Sequence, residues 1–393
     1  MSISTPSLLT GFLRKNGKWG FRNYILILPL HNALNQLAEE VRVSHPAQTV
    51  ITSVAHDWSG EIDSDWDRIH RVFSGFAVNP NVGATIVIGV GSAVEEEIVH
   101  AARAKREMPI AYLTLKDSGG FDNLRKLVTE SVSEVFPLVA SIKRESAPWS
   151  AIVLGLECGG SDAYSGITAN PALGVASDKF VELGGTSILA ETMEILGAEH
   201  LLAARAKTPE VGQAIIDVVA RYERSITYEG IDIRGAQPSR GNIEGGLTTL
   251  EEKSLGAAKK AGNAPFTGVL DYAYVPTEPG LYFMDTPGHD IEQLTGFAAA
   301  DVNITVFTTG RGTPTGSAVI PTIKAATNTE MAIALPDLID LNAGTIADGT
   351  ETLAEVGERI FAEIVDVANG KLTAAERGGH REFNLSRLYG STQ

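Results

Sequence analysis

The residues best able to do chemistry lie in one glycine-rich stretch, Gly155 to Gly166, which contains two serines, two carboxylates and the only cysteine of the chain, Cys158. The apolar run before it, residues 151–154, predicts a buried strand. A strand that ends in such a loop places polar groups at the carboxyl edge of a sheet, where open α/β folds bind their ligands. The stretch therefore predicts one wall of an active site, although a tight turn around a structural cysteine has the same composition.

Acidic side chains recur where the predicted strands end. They are Asp57, Glu61, Glu157, Asp162, Glu191, Glu194 and Asp285. Parallel strands end at one edge of a sheet, and carboxylates brought together there repel one another unless protons or a cation join them. We therefore expect a divalent metal, with ligands among Glu157, Cys158, Glu191, Glu194 and Asp285. No paired-cysteine or His-Glu-x-x-His motif fixes this ligand set, and polar strand-end loops also occur without a metal.

Arg311, between Gly310 and Gly312, is the clearest candidate for binding an anion. Glycines on both sides let the backbone close on a ligand, and a guanidinium pairs with a carboxylate through two parallel bonds. Backbone amides of the same loop could add a nest for an oxyanion. The other side chains expected to bind the substrate are Ser161, Asn242 and Thr309.

Four side chains are candidates for the catalytic steps. They are His56, Asp162, Ser165 and Lys253. His56 ends a predicted strand, and Lys253 follows Thr249 by about one helical turn, but a structural histidine and a solvated helix lysine remain open for these two. A nucleophilic Cys158 is disfavoured because nearby carboxylates raise the pKa of a thiol. A serine hydrolase is disfavoured because no Gly-x-Ser-x-Gly elbow is present at a strand-to-helix turn.

The composition excludes several classes of protein. The chain has 393 residues and a formal net charge of −16, whereas a nucleic-acid surface needs basic residues, so no nucleic-acid partner is expected. No apolar run approaches the ~20 residues of a membrane span, and residues 1–13 lack the pattern of a signal peptide. One cysteine cannot form an intramolecular disulfide and fits a reducing cytoplasm, which is the expected location.

Strands alternate with helices over residues 24–143, and the pattern restarts at residue 151. This order predicts an α/β protein with two Rossmann-like βα domains, mainly parallel sheets, and active-site loops at the carboxyl ends of the strands. We place the domains at residues 1–146 and 147–393, with a linker at 145–148. A hairpin turned at Asn16-Gly17 is expected before the first sheet, and a surface tail beyond Gly370.

These loops also carry a resemblance. The sequence resembles the altronate/galactarate dehydratase family, which includes the large subunit of sulfolactate sulfo-lyase. The resemblance runs from residue 11 to about residue 375, and its most specific segment is Gly155 to Pro171. The other matching segments are Gly11-Phe12 with Gly20-Phe21-Arg22-Asn23, Asn79-Pro80-Asn81-Val82, Gly184 to His200, Gly245 to Gly256, Met284 to Gly288, and Phe307 to Gly312.

The resemblance implies a lyase that eliminates water from a hydroxy or sugar acid, of the aldonate or aldarate type, to give a 2-keto-3-deoxy acid. It also implies a divalent metal, Fe²⁺, Mn²⁺ or Mg²⁺. Removing a proton next to a carboxylate needs a Lewis acid, a base, and an acid for the leaving group. The alternatives are a carbon–sulfur lyase that releases sulfite from an acid such as sulfolactate, and a non-catalytic acid-binding subunit.

The sequence departs from the family pattern in three respects. Asp57-Trp58-Ser59-Gly60 stands where relatives commonly have Gly-Cys-Gly, and Ser317 and Ala343 stand where they often have cysteines. Without those thiols no iron–sulfur cluster is expected, and a metal shifts towards oxygen ligands. The chain also starts directly at the dehydratase core, so we expect the small β-rich (SAF-type) domain of relatives to be a separate subunit or absent. A homo-oligomer is expected.

Overall fold

The computed structural model describes residues 8–45, 50–59, 65–227 and 237–386. Glu61, one of the strand-end acids, lies outside these residues. The described chain opens with a hairpin, in which β1 (Thr10–Leu13) is antiparallel to β2 (Trp19–Gly20). Its turn lies at the predicted position, where Gly17 has a φ of 80°. Glycine adopts this left-handed conformation without steric cost.

The first parallel sheet has four strands in the order β4-β3-β5-β6. They are β3 (Tyr24–Pro29), β4 (Ile51–Ser53), β5 (Val82–Gly89) and β6 (Ile110–Thr114). The helices that follow them are α1 (Asn35–Val43), α2 (Trp66–Phe76), α3 (Ala93–Lys105), α4 (Leu115–Ser118) and α5 (Phe121–Ser141). Every residue of β5 is buried, as expected for a parallel strand with helices on both faces.

Residues 145–148, predicted as a linker, contain a strand. Strand β7 (Glu145–Ser146) pairs antiparallel with β1, so backbone hydrogen bonds tie this connection to the N-terminal hairpin.

The second parallel sheet has seven strands in the order β10-β11-β9-β8-β12-β13-β14. They are β8 (Val153–Cys158), β9 (Thr186–Leu189), β10 (Phe266–Leu270), β11 (Gly280–Met284), β12 (Ile304–Thr309), β13 (Thr322–Ala326) and β14 (Leu341–Asn342). The predicted α/β class with mainly parallel sheets is thereby confirmed.

The helices of the second half differ widely in length. They are α6 (Ala169–Glu182), α7 (Glu199–Ala203), α8 (Pro209–Ile226), α9 (Arg240–Glu244), α10 (Leu250–Ala258), α11 (Asp290–Ala299), α12 (Thr329–Ala334), α13 (Leu353–Ala368) and α14 (Ala374–Gly378). Among the helices within the described ranges, none is both long and apolar enough to cross a membrane.

The strand order of the second sheet reverses beside β8. The chain passes from β8 to β9 on one side and later returns to the other side with β12. In open α/β sheets the crevice at such a reversal, outside the carboxyl ends of the strands, is where ligands bind. Cys158 ends β8 and Thr309 ends β12. The two following loops meet there, since the Gly310 amide donates to the Gly160 carbonyl at 3.2 Å.

The two halves of the chain share a hydrophobic core. Phe73 and Phe76 of α2, in the first half, belong to the same buried cluster as Phe297 of α11 and Phe307 of β12. Helix α11, which contacts β8 of the second sheet, also packs against α2 of the first half.

Two buried asparagines add polar links across this junction. The Asn79 amide donates to the carbonyls of Ala298 at 2.8 Å and Val302 at 2.9 Å. The Asn81 amide donates to the carbonyls of Asn303 and Val319, both at 2.9 Å. Buried carbonyls need such partners because water cannot reach them. The Asn79-Pro80-Asn81 segment therefore does more than turn the chain: it joins the two halves.

The predicted surface tail beyond Gly370 is wrong. Glu376 of α14 accepts from the Arg22 guanidinium at 2.6 and 2.9 Å and from the Tyr24 hydroxyl at 2.6 Å. Phe383 and Leu385 are buried in the core shared by the two halves. The charged residues of this segment suggested solvent, but Glu376 is paired with a buried arginine of the first half.

His56, a candidate catalytic residue, is a core residue of the first half. Its Nε2 lies 2.7 Å from the Pro29 carbonyl, and its Nδ1 accepts from the Trp58 amide at 3.1 Å. The ring packs against Phe73 and Phe383. Burial lowers the pKa of His56 to about 4. Both nitrogens are thus engaged within the first half, and the imidazole is neutral at pH 7.

We expect Asn81→Ala to lower the free energy of unfolding by about 3 kcal/mol. Besides its two donated bonds, the side chain accepts from the amides of Phe21 and Arg22, so its removal leaves four buried groups without partners. Urea denaturation measures the change. Asn123→Ala is the control, because this exposed amide donates to the Ser118 carbonyl and its loss should cost less than about 0.5 kcal/mol. Equal losses in the two variants would contradict the role of Asn81.

His56 gives the stability a specific pH dependence. Because its folded pKa of about 4 lies below the unfolded value of about 6.5, only the unfolded state takes up the proton between these values. The stabilisation is therefore complete above pH ~6.5 and is lost as the pH falls towards 4. We expect His56→Gln to reduce the loss between pH 7 and pH 5 by about 2 kcal/mol. His100→Gln, on the exposed surface of α3, should leave it unchanged; an unchanged loss in His56→Gln would contradict the assignment.

Candidate active site

Two glycines shape the loop after Cys158. Gly160 has a φ of 61°, and a Cβ at Gly159 would collide with the Asp290 carboxylate and the Phe307 ring. Gly160 lies against Thr309 and Arg311. Only glycine permits both the conformation and the close approach. The Gly159-Gly160 turn thus has buried acidic groups on one side and the Arg311 loop on the other.

We call the buried ionisable groups at these strand ends the charge cluster. It consists of Glu157, Cys158, Glu191, Glu194, Lys253, Lys260, Asp290 and Lys324. Asp290 is partly exposed, and the other seven are buried. Burying this many charges is costly unless they are paired.

Lys260 holds what we call the thiol side of the cluster, made of Cys158, Glu191 and Glu194. The Lys260 ammonium donates to Cys158 Sγ at 2.8 Å and lies 3.4 Å from Glu194 and 3.6 Å from Glu191. The thiol in turn donates to Glu194 Oε2 at 2.9 Å. Burial raises the pKa of the Cys158 thiol, and Glu194 adds to this effect. The sulfur is therefore a protonated hydrogen-bonding group, as the sequence predicted when it disfavoured a nucleophile.

Glu194 is the charged carboxylate of the thiol side. Burial opposes its charge, but Lys253 and Lys260 outweigh burial and lower the pKa of Glu194 to about 2. Lys253 Nζ lies 3.1 Å from Glu194 Oε1 and donates to Gln237 Oε1 at 2.9 Å. Burial likewise opposes the charge on Lys253, and Glu194 and Glu191 raise its pKa above the ordinary value. Lys253 thus remains an ammonium group and helps to keep Glu194 charged.

Glu191 has an unusual backbone conformation. Its φ of 66° is left-handed, which costs a non-glycine residue of the order of 1 kcal/mol and is found mainly at functional sites. Thr286 holds it there, because its Oγ1 accepts from the Glu191 amide at 2.8 Å. Burial raises the pKa of Glu191, and the charges of Glu157 and Glu194 raise it further. The strain directs the carboxylate of Glu191 into the cluster.

The other side of the cluster, which we call the carboxylate side, consists of Glu157, Glu191 and Asp290. Glu157 is fully buried, and neither of its carboxylate oxygens has a hydrogen-bond partner. Burial raises the pKa of Glu157, and Asp290 adds to the effect. Burial also raises the pKa of Asp290, the first residue of α11. In each side of the cluster the three potential metal-ligand atoms lie within 4.8 Å of one another.

Lys324 lies beyond Glu157 on the same face of the sheet. Glu157 of β8 is in register with Phe307 of β12, which is in register with Lys324 of β13. The Lys324 ammonium lies 3.3 Å from the centre of the Phe307 ring and has no hydrogen-bond partner. Burial lowers the pKa of Lys324 to about 7. The sheet thus separates this buried cation from Glu157 by one aromatic ring.

Asp285, predicted as a metal ligand, lies outside both groups. Its oxygens accept from Thr192 Oγ1 at 2.5 Å and from Arg221 Nη2 at 2.6 Å. The structure instead brings Asp290, five residues later, beside Glu157 and Glu191. Asp285 follows β11 directly, whereas Asp290 begins a helix, and only the second position reaches the cluster.

Asp162 and Ser165 hold loops together. Asp162 accepts from Thr327 Oγ1 and Ser165 Oγ at 2.9 Å and from the Asn328 amide at 3.1 Å. The Asp162 carboxylate accepts all of these bonds and thereby fixes the Cys158 loop against the loop after β13.

The four predicted substrate-binding residues lie close together. The Asn242 amide donates to the Ser161 carbonyl at 2.9 Å, and Thr309 Oγ1 accepts from the Gly312 and Thr313 amides at 3.0 and 3.1 Å. Arg311 is half-exposed and lies 3.3 Å from Glu244. Asn242 and Thr309 thus order the loops that position Arg311.

Arg311 lines a cavity of about 560 Å³. The charged residues that share it are Asp162, Glu244, Glu330 and Asp348. A larger cleft of about 680 Å³ is lined by several arginines, including Arg22, Arg42, Arg144 and Arg381. Their guanidinium groups are engaged by Glu376, Glu39 and backbone carbonyls. Because the smaller cavity opens at the strand reversal and contains the Arg311 loop, it is the better candidate for the substrate.

Sequence reasoning missed three members of the charge cluster: Lys260, Asp290 and Lys324. Lys260 follows Lys259, and such a pair is usually solvated. Lys324 carried the one usable signal, since it interrupts an apolar run from residue 318 to residue 326. A lysine within a buried strand needs a partner or a function.

The sequence matches two domain descriptions of one family. Residues 11–142 match the second domain of D-galactarate dehydratase/altronate hydrolase. Residues 149–391 match the C-terminal domain of D-galactarate/altronate dehydratase.

Three relatives align over most of this chain. Subunit beta of (2R)-sulfolactate sulfo-lyase from Chromohalobacter salexigens is 35% identical over 386 residues, 97% of each chain. Altronate dehydratase from Bacillus subtilis is 34% identical over 383 residues, 95% of this chain and 76% of the relative. Galactarate dehydratase (L-threo-forming) from Escherichia coli is 39% identical over 309 residues, 77% of this chain and 59% of the relative. The chain therefore belongs to the galactarate/altronate dehydratase family, as its glycine-rich loops predicted.

Proposed function

We propose that the protein is a metal-dependent lyase that removes water from a sugar acid of the aldonate type and yields a 2-keto-3-deoxy acid. One observation carries the proposal. The acid-rich charge cluster and the Arg311 cavity lie on opposite sides of the Gly159-Gly160 turn, where the strand order reverses. The names of the altronate and galactarate dehydratase relatives support it.

The charge cluster fits a divalent cation. Its four carboxyl groups are opposed by the ammonium groups of Lys253 and Lys260 and by Lys324, whose pKa burial lowers to about 7. Both oxygens of Glu157 lack partners. Carboxylate oxygens suit Mg²⁺, Mn²⁺ and Fe²⁺. The residues that would hold it come from Glu157, Cys158, Glu191, Glu194 and Asp290. When bound, a divalent cation supplies positive charge near the carboxylate whose α-carbon loses the proton.

The Arg311 cavity favours a substrate with one carboxylate. Arg311 is the single cation among its described lining residues, against four carboxylates. A guanidinium pairs with one substrate carboxylate, and the acids accept hydrogen bonds from the hydroxyls of a polyol. The second carboxylate of an aldarate would be repelled by them. We therefore favour an aldonate over an aldarate.

The remaining roles belong to side chains that the structure already orders. Lys253 lies 3.1 Å from Glu194 and helps to keep that carboxylate charged, so we assign it to ordering the charge cluster. Asp162 and Ser165 keep the loops around the cavity in place.

The second candidate is a carbon–sulfur lyase that releases sulfite from a sulfonated hydroxy acid. The observation that favours it is length, since the sulfo-lyase relative matches this chain over 97% of both. That relative is named as a beta subunit, so we propose that a separate small β-rich protein assembles with this chain as well.

The reaction is tested with chelated protein reloaded with Mn²⁺, Mg²⁺ or Fe²⁺, alone and with such a small subunit. Aldonates, aldarates and sulfolactate are offered, and keto acid and sulfite are measured. We expect metal-dependent keto acid from an aldonate, with kcat/KM at least tenfold above that for aldarates. Sulfite from sulfolactate without turnover of aldonates would instead support the second candidate. The absence of any product with every metal would contradict both.

Arg311→Gln is expected to raise KM for the aldonate about 30-fold, with a smaller change in kcat, because the guanidinium holds the carboxylate in the ground state and in the transition state. Arg240→Gln is the matched control. Arg240 is exposed and also pairs with Glu244, but it does not line the cavity, so KM should stay within twofold. Equal KM values in the two variants would contradict the assignment of Arg311.

A further inference from the structure

The thiol side of the charge cluster already contains a cation. The Lys260 ammonium lies within 3.6 Å of ligand atoms of all three members, Cys158, Glu191 and Glu194. A divalent cation bound to the same atoms would lie next to that ammonium in a buried site, where like charges repel strongly. The ammonium therefore takes the place of a metal on this side.

On the carboxylate side, Lys260 reaches only Glu191, whose Oε2 lies 3.6 Å from the ammonium and makes no hydrogen bond. Neither oxygen of Glu157 has a hydrogen-bond partner. Lys324, the cation beyond Glu157, lies over the Phe307 ring and forms no ion pair with a described carboxylate within 4 Å. A fully buried, unpartnered carboxylate is costly, and a metal would satisfy both of its oxygens.

Glu191 belongs to both sides. Its left-handed backbone, held by Thr286, places one carboxylate where Lys260 and the carboxylate side can share it. Conformational strain at a single acidic residue between two groups is expected of a ligand that is held in place.

Asp290 lies where a cation can reach the cluster from solvent. It is the only partly exposed member of the cluster, and it lies against the Gly159-Gly160 turn. A cation approaching from this side reaches Asp290 first and then Glu157 and Glu191.

We propose that a divalent cation preferring oxygen ligands binds between Glu157, Glu191 and Asp290, while the Lys260 ammonium serves as a fixed second cation on the thiol side. This deepens the proposed function and rests on it for the role of the metal in the reaction. Compared with the ligands predicted from the sequence, it removes Cys158, Glu194 and Asp285 and adds Asp290.

The test titrates the full chain, freed of metal by chelation, with Mn²⁺ alone. Isothermal titration calorimetry gives the stoichiometry and the affinity, and the electron paramagnetic resonance signal of Mn²⁺ gives the number of ions bound. We expect one Mn²⁺ per chain, with affinity at least 30-fold weaker in Glu157→Gln and in Asp290→Asn. Cys158→Ser, which keeps a group that can donate to Glu194 and accept from Lys260, and Asp285→Asn should bind within threefold of the unaltered chain. Loss of Mn²⁺ in Cys158→Ser with retention in Asp290→Asn would overturn the proposal.

Thermal unfolding separates a ligand from a structural residue. A ligand stabilises the folded state only when the metal is present. Without metal, Glu157→Gln and Asp290→Asn should unfold at or above the temperature of the unaltered chain, and with Mn²⁺ they should lack its rise in Tm. A fall in Tm without metal together with an unaltered Mn²⁺ response in both variants would assign a structural role and overturn the proposal.

The site and the reaction can fail independently. Mn²⁺ binding that depends on Glu157 and Asp290, but without turnover of any acid, would leave this site in place and remove the proposed function. If Glu157→Gln and Asp290→Asn leave both the Mn²⁺ affinity and the metal-dependent turnover unchanged, the proposed function would stand and this site would be removed.

Discussion

The active-site half of the molecule depends on one constraint: charges withdrawn from water must be neutralised by other charges. Cys158, Glu191 and Glu194 can be buried together because the ammonium groups of Lys253 and Lys260 lie among them. Glu157 has no comparable partner. Replacing one member of a buried ion pair destabilises a protein strongly, because the other member is left as a buried charge without a partner. The cluster therefore behaves as one unit.

The regular geometry of the second sheet assembles this unit. Parallel register puts Glu157, Phe307 and Lys324 in one row across three adjacent strands. The reversal of strand order beside β8 then brings the Cys158 and Arg311 loops to a common crevice. Gly159 and Gly160 let these loops approach closely, so that only this turn separates Asp290 of the cluster from the Arg311 loop.

Much of this could be predicted from the sequence. The α/β class, the N-terminal turn and the importance of the Cys158 loop follow from apolar runs that end in glycine-rich, acidic loops. Other features depend on contacts between residues distant in the chain. The sequence indicates a catalytic residue at His56, which packs against Phe383 from the far end of the chain, and a surface lysine at Lys260, which lies against Cys158. Its position at the end of a strand indicated Asp285 as a metal ligand, but Asp290, at the start of a helix, is the residue that lies in the cluster. Periodicity finds elements, but it does not specify which side chains meet between them.

The asparagines of the Asn79-Pro80-Asn81 segment have a consequence for how a substrate enters. Their amides donate to carbonyls at the end of α11, just before β12 and just before β13, and the halves also share an aromatic core. Opening the protein like a hinged pair of domains would break four buried hydrogen bonds and expose that core at the same time. Because separating the halves carries this cost, we expect a substrate to enter through the mouth of the Arg311 cavity, whose described lining residues all belong to the second half.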